Sequence, residues 1–189
     1  MSVGKQNNTG EVTESLVCDQ LHKLGLHTHK PVPDKGVDIV VWCPEWPEKK
    51  LNIQVKGRGA EQINKRYRWF QIRTTKKQRE SAVANALEPL EFWRKKASLV
   101  DLFVFVSVRY EECWVFNIQE LEKIIEGNRR KPRLRKDNLR GEQAEADLDV
   151  QVDGVPLTET FKHCKEAWQK VLVGLDLPLE FGCNQPYSG

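Results

Sequence analysis

No long apolar run occurs in this chain. No stretch approaches the ~20 consecutive apolar residues of a membrane-crossing helix. The opening Met1-Ser2-Val3-Gly4-Lys5-Gln6-Asn7-Asn8 also lacks the apolar segment of a secretory signal. The expectation is a cytoplasmic protein with no membrane partner. Cysteine is sparse as a framework. Cys18, Cys43, Cys113, Cys164 and Cys183 are odd in number, scattered and free of any CxxC pair. That spacing argues against a zinc site or disulfide scaffold and for buried, reduced thiols. His163 and Cys164 fall in a helical pattern, where neighbours face different ways, and read as structural. His22, His27 and His29 flank the first helix without metal-ligand spacing. Internal repeats are absent too.

Acidic residues are all but missing from one long segment. Lys49 to Arg79 carries eleven bases (Lys49, Lys50, Lys56, Arg58, Lys65, Arg66, Arg68, Arg73, Lys76, Lys77, Arg79) and a single acid, Glu61, although the whole chain is only +3. A second cluster, Arg129-Arg130-Lys131 with Arg133, Arg135, Lys136 and Arg140, is offset only by Asp137. Basic surface of this density suits a phosphate backbone. The Arg129–Arg140 cluster reads equally well as a solvated loop. With 189 residues, 39% hydrophobic and 30% charged, the chain is long enough for one globular unit with a real core.

The periodicity predicts a helix over about Gly10–Leu24, with Asn8 and Glu11 as a capping pair and Gly25 as its stop. Its apolar face is Val12, Leu16, Val17, Leu21 and Leu24. Glu14 lies nearer the middle of that face than Glu11. Strands follow at Val37–Trp42, Leu51–Val55, Trp69–Ile72, Asp101–Val108 and Cys113–Ile118. Helices are expected over Lys76–Lys96, Gln119–Ile125 and Phe161–Val173, and a hairpin turn near Val150–Val155.

The chemistry concentrates in one expected hairpin. Asp38 heads the apolar run Ile39-Val40-Val41-Trp42, and the second strand reads Ile53-Gln54-Val55-Lys56-Gly57. Side chains alternate along a strand, so Gln54 and Lys56 share a face while Ile53 and Val55 take the other. Pairing around a Pro44–Lys50 loop would converge a carboxylate, an amide oxygen and an ammonium. Those groups suit a hard divalent cation beside a phosphate. Taken singly, Asp38 reads more readily as a strand cap or a lysine's partner and Lys56 as a solvated strand-end cation; the combined arrangement favours a site.

With Asp38, Gln54, Lys56 and a glutamate in the first helix, the chain resembles the PD-(D/E)xK nuclease superfamily. It is most similar to the branch with glutamine in the second acidic slot, as in Mrr-like restriction and homing endonucleases. Two features depart from the pattern: Val37 stands where proline is usual before the aspartate, and Gln54 is neutral. The resemblance implies an α/β fold, a restriction-endonuclease-like core of mixed central sheet flanked by helices, with a C-terminal strand and helix extension. Residues 1–127 would form the nuclease core. Residues 128–189 would form a basic loop and an extension packed on or beside it. The resemblance further implies a Mg²⁺- or Mn²⁺-dependent DNA endonuclease leaving a 5′-phosphate. Asp38, the Gln54 side chain, the Val55 carbonyl and Glu14 would serve the metal, and Lys56 would be the catalytic lysine. Arg58, Lys65, Arg66, Arg68, Arg73, Lys76 and Lys77 are the expected nucleic-acid contacts. No small-molecule cofactor is expected, and cutting both strands of a duplex is compatible with a homodimer. The alternative is a nuclease fold that binds nucleic acid without cleaving it.

Overall fold

Leu102-Phe103-Val104-Phe105-Val106 contains no polar residue because both faces of that strand are covered. The computed structural model describes residues 4–32, 36–58, 72–73, 94, 98–108, 111–127, 133–134, 146–148 and 162–181. Helix α1 (Gly4–Lys23) leads into strands β1 (His27–His29), β2 (Ile39–Cys43), β3 (Trp46–Arg58) and β4 (Ile72–Arg73). After β5 (Leu102–Ser107) and β6 (Glu112–Asn117) come helix α2 (Ile118–Gly127), strands β7 (Arg133–Leu134) and β8 (Ala146–Leu148), a 3₁₀ turn at Lys162–Cys164, and helix α3 (Gln169–Gly174). The main sheet has the order β1-β2-β3-β5-β6. Only β3 and β5 run parallel; the other pairs are antiparallel. A three-stranded sheet, β4-β8-β7, stands apart. The architecture is therefore the expected one, a mixed sheet flanked by helices.

The alternation of β3 divides the core. Ile53 and Val55 point into a cluster with Val17 and Leu21 of α1 and with Trp168, Val171, Leu172 and Leu175 from the C-terminal segment. On the opposite face Phe103, Phe105, Trp114 and Phe116 pack with Leu121 of α2 and with Cys164. β5 feeds both clusters, and all six of its residues are buried.

Several expected boundaries move, each for a local reason. α1 begins at Gly4, so Asn8 lies inside the helix rather than capping it. Its buried face is rotated from the one expected. Val12 is 40% exposed, while Thr13 is 1% exposed and packs against Gly57. Thr13 can be buried because its hydroxyl donates to the Thr9 and Gly10 carbonyls at 3.0 and 2.9 Å. Gly25 ends the helix as expected: at φ 74° it lets Leu26 N reach Leu21 O at 3.1 Å and its own N reach His22 O at 2.9 Å. The β2–β3 turn is only Pro44-Glu45. The register then shifts between Trp42 and Cys43, and that irregularity absorbs Pro47, which has no N–H for a ladder. Ile72 and Arg73 are strand, whereas the rest of the expected Trp69–Ile72 strand, nearly all of the Lys76–Lys96 helix and the Val150–Val155 turn lie outside the described residues.

The expected Phe161–Val173 helix is broken. Lys165 bridges Trp114 on the outer edge of β6, and Glu166, at φ 49°, turns the chain. Glu166 N donates to Cys113 O at 2.9 Å, Cys113 N donates to the Glu166 carboxylate at 2.7 Å, and the Trp168 indole donates to the same carboxylate at 2.9 Å. The segment thus covers a sheet edge that would otherwise present unpaired backbone groups. A continuous helix could not make these bonds.

Candidate functional site

The β2 ladder stops one residue short of Asp38. Ile39 pairs with Ile53, and Asp38 N still donates to Ile53 O at 2.9 Å. Beyond that point the Asp38 side chain replaces the ladder, its Oδ2 accepting from Val55 N at 2.6 Å. This charge-assisted bond fixes the carboxylate against the β3 backbone between Gln54 and Lys56. The N–H and C=O of one strand residue point to the same edge, so the Val55 carbonyl faces the edge occupied by Asp38.

Gln54 is 8% exposed and Lys56 is half-buried. Both lie on the face opposite Ile53 and Val55. Among the described residues Gln54 makes no side-chain hydrogen bond and Lys56 makes no ion pair. Gly36, at φ 91°, closes the approach: the Gln54 amide nitrogen sits 3.8 Å from where a Cβ would stand. The donor set around Asp38, a carboxylate, an amide and a backbone carbonyl, consists of hard oxygen atoms and fits Mg²⁺ or Mn²⁺ by chemistry.

Glu14 is held elsewhere. Its carboxylate pairs with Lys30 Nζ at 2.6 Å. This hydrogen bond, acting against the opposing effect of burial, raises the Lys30 pKa above its ordinary value. α1 packs on the Ile53/Val55 side of the sheet, so Glu14 lies on a helix across β3 from the Gln54 and Lys56 side chains. Arg58 and Arg73 are placed by backbone in β3 and β4. Their side chains, and Lys65, Arg66, Arg68, Lys76 and Lys77 entirely, fall outside the described residues.

A second polar group was not anticipated. Glu120, His163 and Cys164 each offer a ligand-type atom, all within 4.8 Å of one another, a spacing that could hold a metal ion. The Lys170 ammonium stands in the same place. It donates to both Glu120 oxygens at 2.7 Å, to Val115 O at 2.8 Å and to Cys164 Sγ at 3.3 Å. Burial pushes the Cys164 thiol up to about 11, which keeps it protonated near neutrality and makes it a poor ligand. Burial also pushes the Glu120 carboxyl up. The Lys170 hydrogen bond, the Asn117 backbone N–H and the Lys170 charge outweigh it and hold the group below its usual range. Glu120 and Asn117 form a reciprocal cap on α2, each accepting the other's backbone N–H at 2.9 Å. The spacing Asn117-Ile118-Gln119-Glu120 carried that signal in the sequence; nothing in the sequence pointed to Lys170.

The mixed sheet and its helices are nuclease-like in fold. The chain is similar in structure to a bacterial homing endonuclease, I-Ssp6803I, with 16% sequence identity and a TM-score of 0.50 over 90% of this chain and 95% of that one. At that identity the likeness speaks for the fold alone. No protein-family model matches the chain, and no curated protein does. No helix among the described residues is long and apolar enough to cross a membrane.

Proposed function

We propose that the protein is a Mg²⁺- or Mn²⁺-dependent DNA endonuclease of the PD-(D/E)xK type, in its glutamine-bearing branch, with its centre at the β2–β3 hairpin. The observation that carries this reading is the Asp38 carboxylate anchored to Val55 N, between a lysine and an amide with no described structural partner. The nuclease-like fold supports it.

Asp38, the Gln54 amide oxygen and the Val55 carbonyl would hold the cation; Glu14, engaged by Lys30 on the α1 side of the sheet, would act only through water or on a second ion. The bound cation would polarise the phosphodiester and offset charge gathering on it. Asp38 keeps its orientation because one oxygen is committed to the backbone. Lys56 orients the attacking water and places positive charge beside the phosphorane. Gln54 preserves an oxygen ligand while removing one negative charge, which weakens metal affinity and leaves a non-cleaving binder as the second reading. Residues 1–127 would be the catalytic core and 128–189 an extension, with a homodimer as the simplest route to cutting both strands.

The test is supercoiled plasmid incubated with the protein and Mg²⁺ or Mn²⁺, beside EDTA and Lys56→Ala. Metal-dependent nicking or linearisation, reduced about 10²- to 10⁴-fold in Lys56→Ala, is the expected outcome. Cleavage that persists in Lys56→Ala would remove the hairpin from the mechanism. A plasmid shifted at low salt but never cut would select the binding module.

A further inference from the structure

The register lines up three strands across the same sheet face as Gln54 and Lys56. His27 pairs with Trp42 and Trp42 with Lys50; one row on, His29 pairs with Val40 and Val40 with Asn52. Cross-strand partners share a face, so His27, His29, Trp42 and Lys50 stand on the side of the sheet that carries Gln54 and Lys56. Trp42 belongs to neither core cluster. Its ring is flanked by His27, at 5.5 Å and 78°, and by His29, at 5.2 Å and 59°. Both imidazoles are exposed, and Lys50 makes no ion pair among the described residues. At the same end of the sheet a cleft of about 670 Å³ opens along the β1 edge, lined from the α1 side by His22, Leu26 and Phe181 and reached by His27, Trp42 and Glu45. That volume lies in the range of small-ligand sites.

A tryptophan serving only as core would be packed among aliphatic side chains. This one is bracketed by polar rings, with a cation that makes no ion pair among the described residues on the neighbouring strand and a cleft along the sheet edge. We propose that His27, Trp42 and His29 form a stacking platform for an unpaired nucleobase, with Lys50 meeting the adjoining phosphate. The assignment rests on the nucleic-acid reading of the hairpin. A base inside a duplex offers only its edges; its ring face becomes available when it is unstacked, and aromatic side chains are its usual partners. Asp38, the residue just before β2, and Trp42 within it are four residues apart, about 13 Å at the strand rise, or about four base steps. The substrate class that fits is therefore nucleic acid with an unpaired stretch within about four nucleotides of the bond held at Asp38: a gap, overhang, flap or junction.

The experiment measures binding in EDTA, where cleavage does not intervene. Two DNAs carry 2-aminopurine at the same position, one fully paired and one with that base in a short gap. The wild-type protein should bind the gapped DNA more tightly and quench its fluorescence. Trp42→Ala should lose about 5- to 150-fold on the gapped DNA, stay within about twofold on the duplex, and abolish the quench; Trp42→Phe should retain most of both. If Trp42→Ala does not fold, Trp42→Leu replaces it, keeping apolar volume without the ring face. Equal losses on both DNAs, or no loss on either, would overturn the platform. A wild-type protein that never cleaves yet shows this selectivity would sink the catalytic reading and leave the platform standing. One that cleaves but ignores Trp42 substitutions would do the reverse.

Discussion

Asp38 has two tasks that substitution can separate. Its carboxylate accepts from Val55 N at 2.6 Å and also carries charge. Asp38→Asn keeps an acceptor oxygen and should leave the melting temperature nearly unchanged while abolishing metal-dependent cleavage. Asp38→Ala should lose cleavage and also about 1–3 kcal/mol of stability, because it strands a partly buried N–H; chemical denaturation with activity assays on both variants tests the distinction. Glu120 allows a pH prediction. Its folded pKa is depressed below the ordinary 4.5, so the stabilisation is present above that value and lost as pH falls through the folded one. Lys170→Met removes the counter-charge, leaves burial to raise the Glu120 pKa, and should move the acid-unfolding midpoint to higher pH. An unchanged midpoint would mean that Lys170 does not govern Glu120.

At the level of elements, α1 and β3 meet where Gly57 faces Thr13. A Cβ on Gly57 would lie 2.4 Å from Thr13 Cγ2 and 2.6 Å from its Oγ1, and that hydroxyl is tied to the Thr9 and Gly10 carbonyls. Gly57→Ala should therefore cost about 1–3 kcal/mol. The double variant with Thr13→Ala should be less destabilised than the sum of the singles, as a double-mutant cycle by urea denaturation would read. Elements were legible from the sequence in proportion to how local their cause is. β5 and β6 stand out because their apolar runs reflect burial on both faces. β1 did not, since His27-Thr28-His29 is three polar residues whose strand character comes from pairing with β2. The first part of β3 was hidden behind Pro47, Glu48, Lys49 and Lys50, a composition of loops. The break in the Phe161–Val173 pattern depends on the distant Cys113 and Trp114. At the hairpin, strand alternation was enough to place Gln54 and Lys56 on one face, but the Asp38–Val55 bond and the Glu14–Lys30 pair are tertiary facts that spacing does not encode.

For the molecule as a whole, the segment 162–181 contributes Trp168, Val171, Leu172, Leu175 and Leu177 to the cluster that also contains Val17 and Leu21 of α1 and Ile53 and Val55 of β3. Deleting it should expose both that cluster and the β6 edge. The expected result is a large loss of melting temperature with self-association on size-exclusion chromatography; a monomeric, stably folded truncation would show the segment to be dispensable. Synthesis runs from the N-terminus at about 5–20 residues per second, so a nascent chain that already carries Asp38, Gln54 and Lys56 must wait several seconds before residue 181 emerges to complete the fold. The site proposed at the hairpin would thus be completed only after translation has passed it, and proteolysis of ribosome-held chains stalled on either side of residue 181 would register the change.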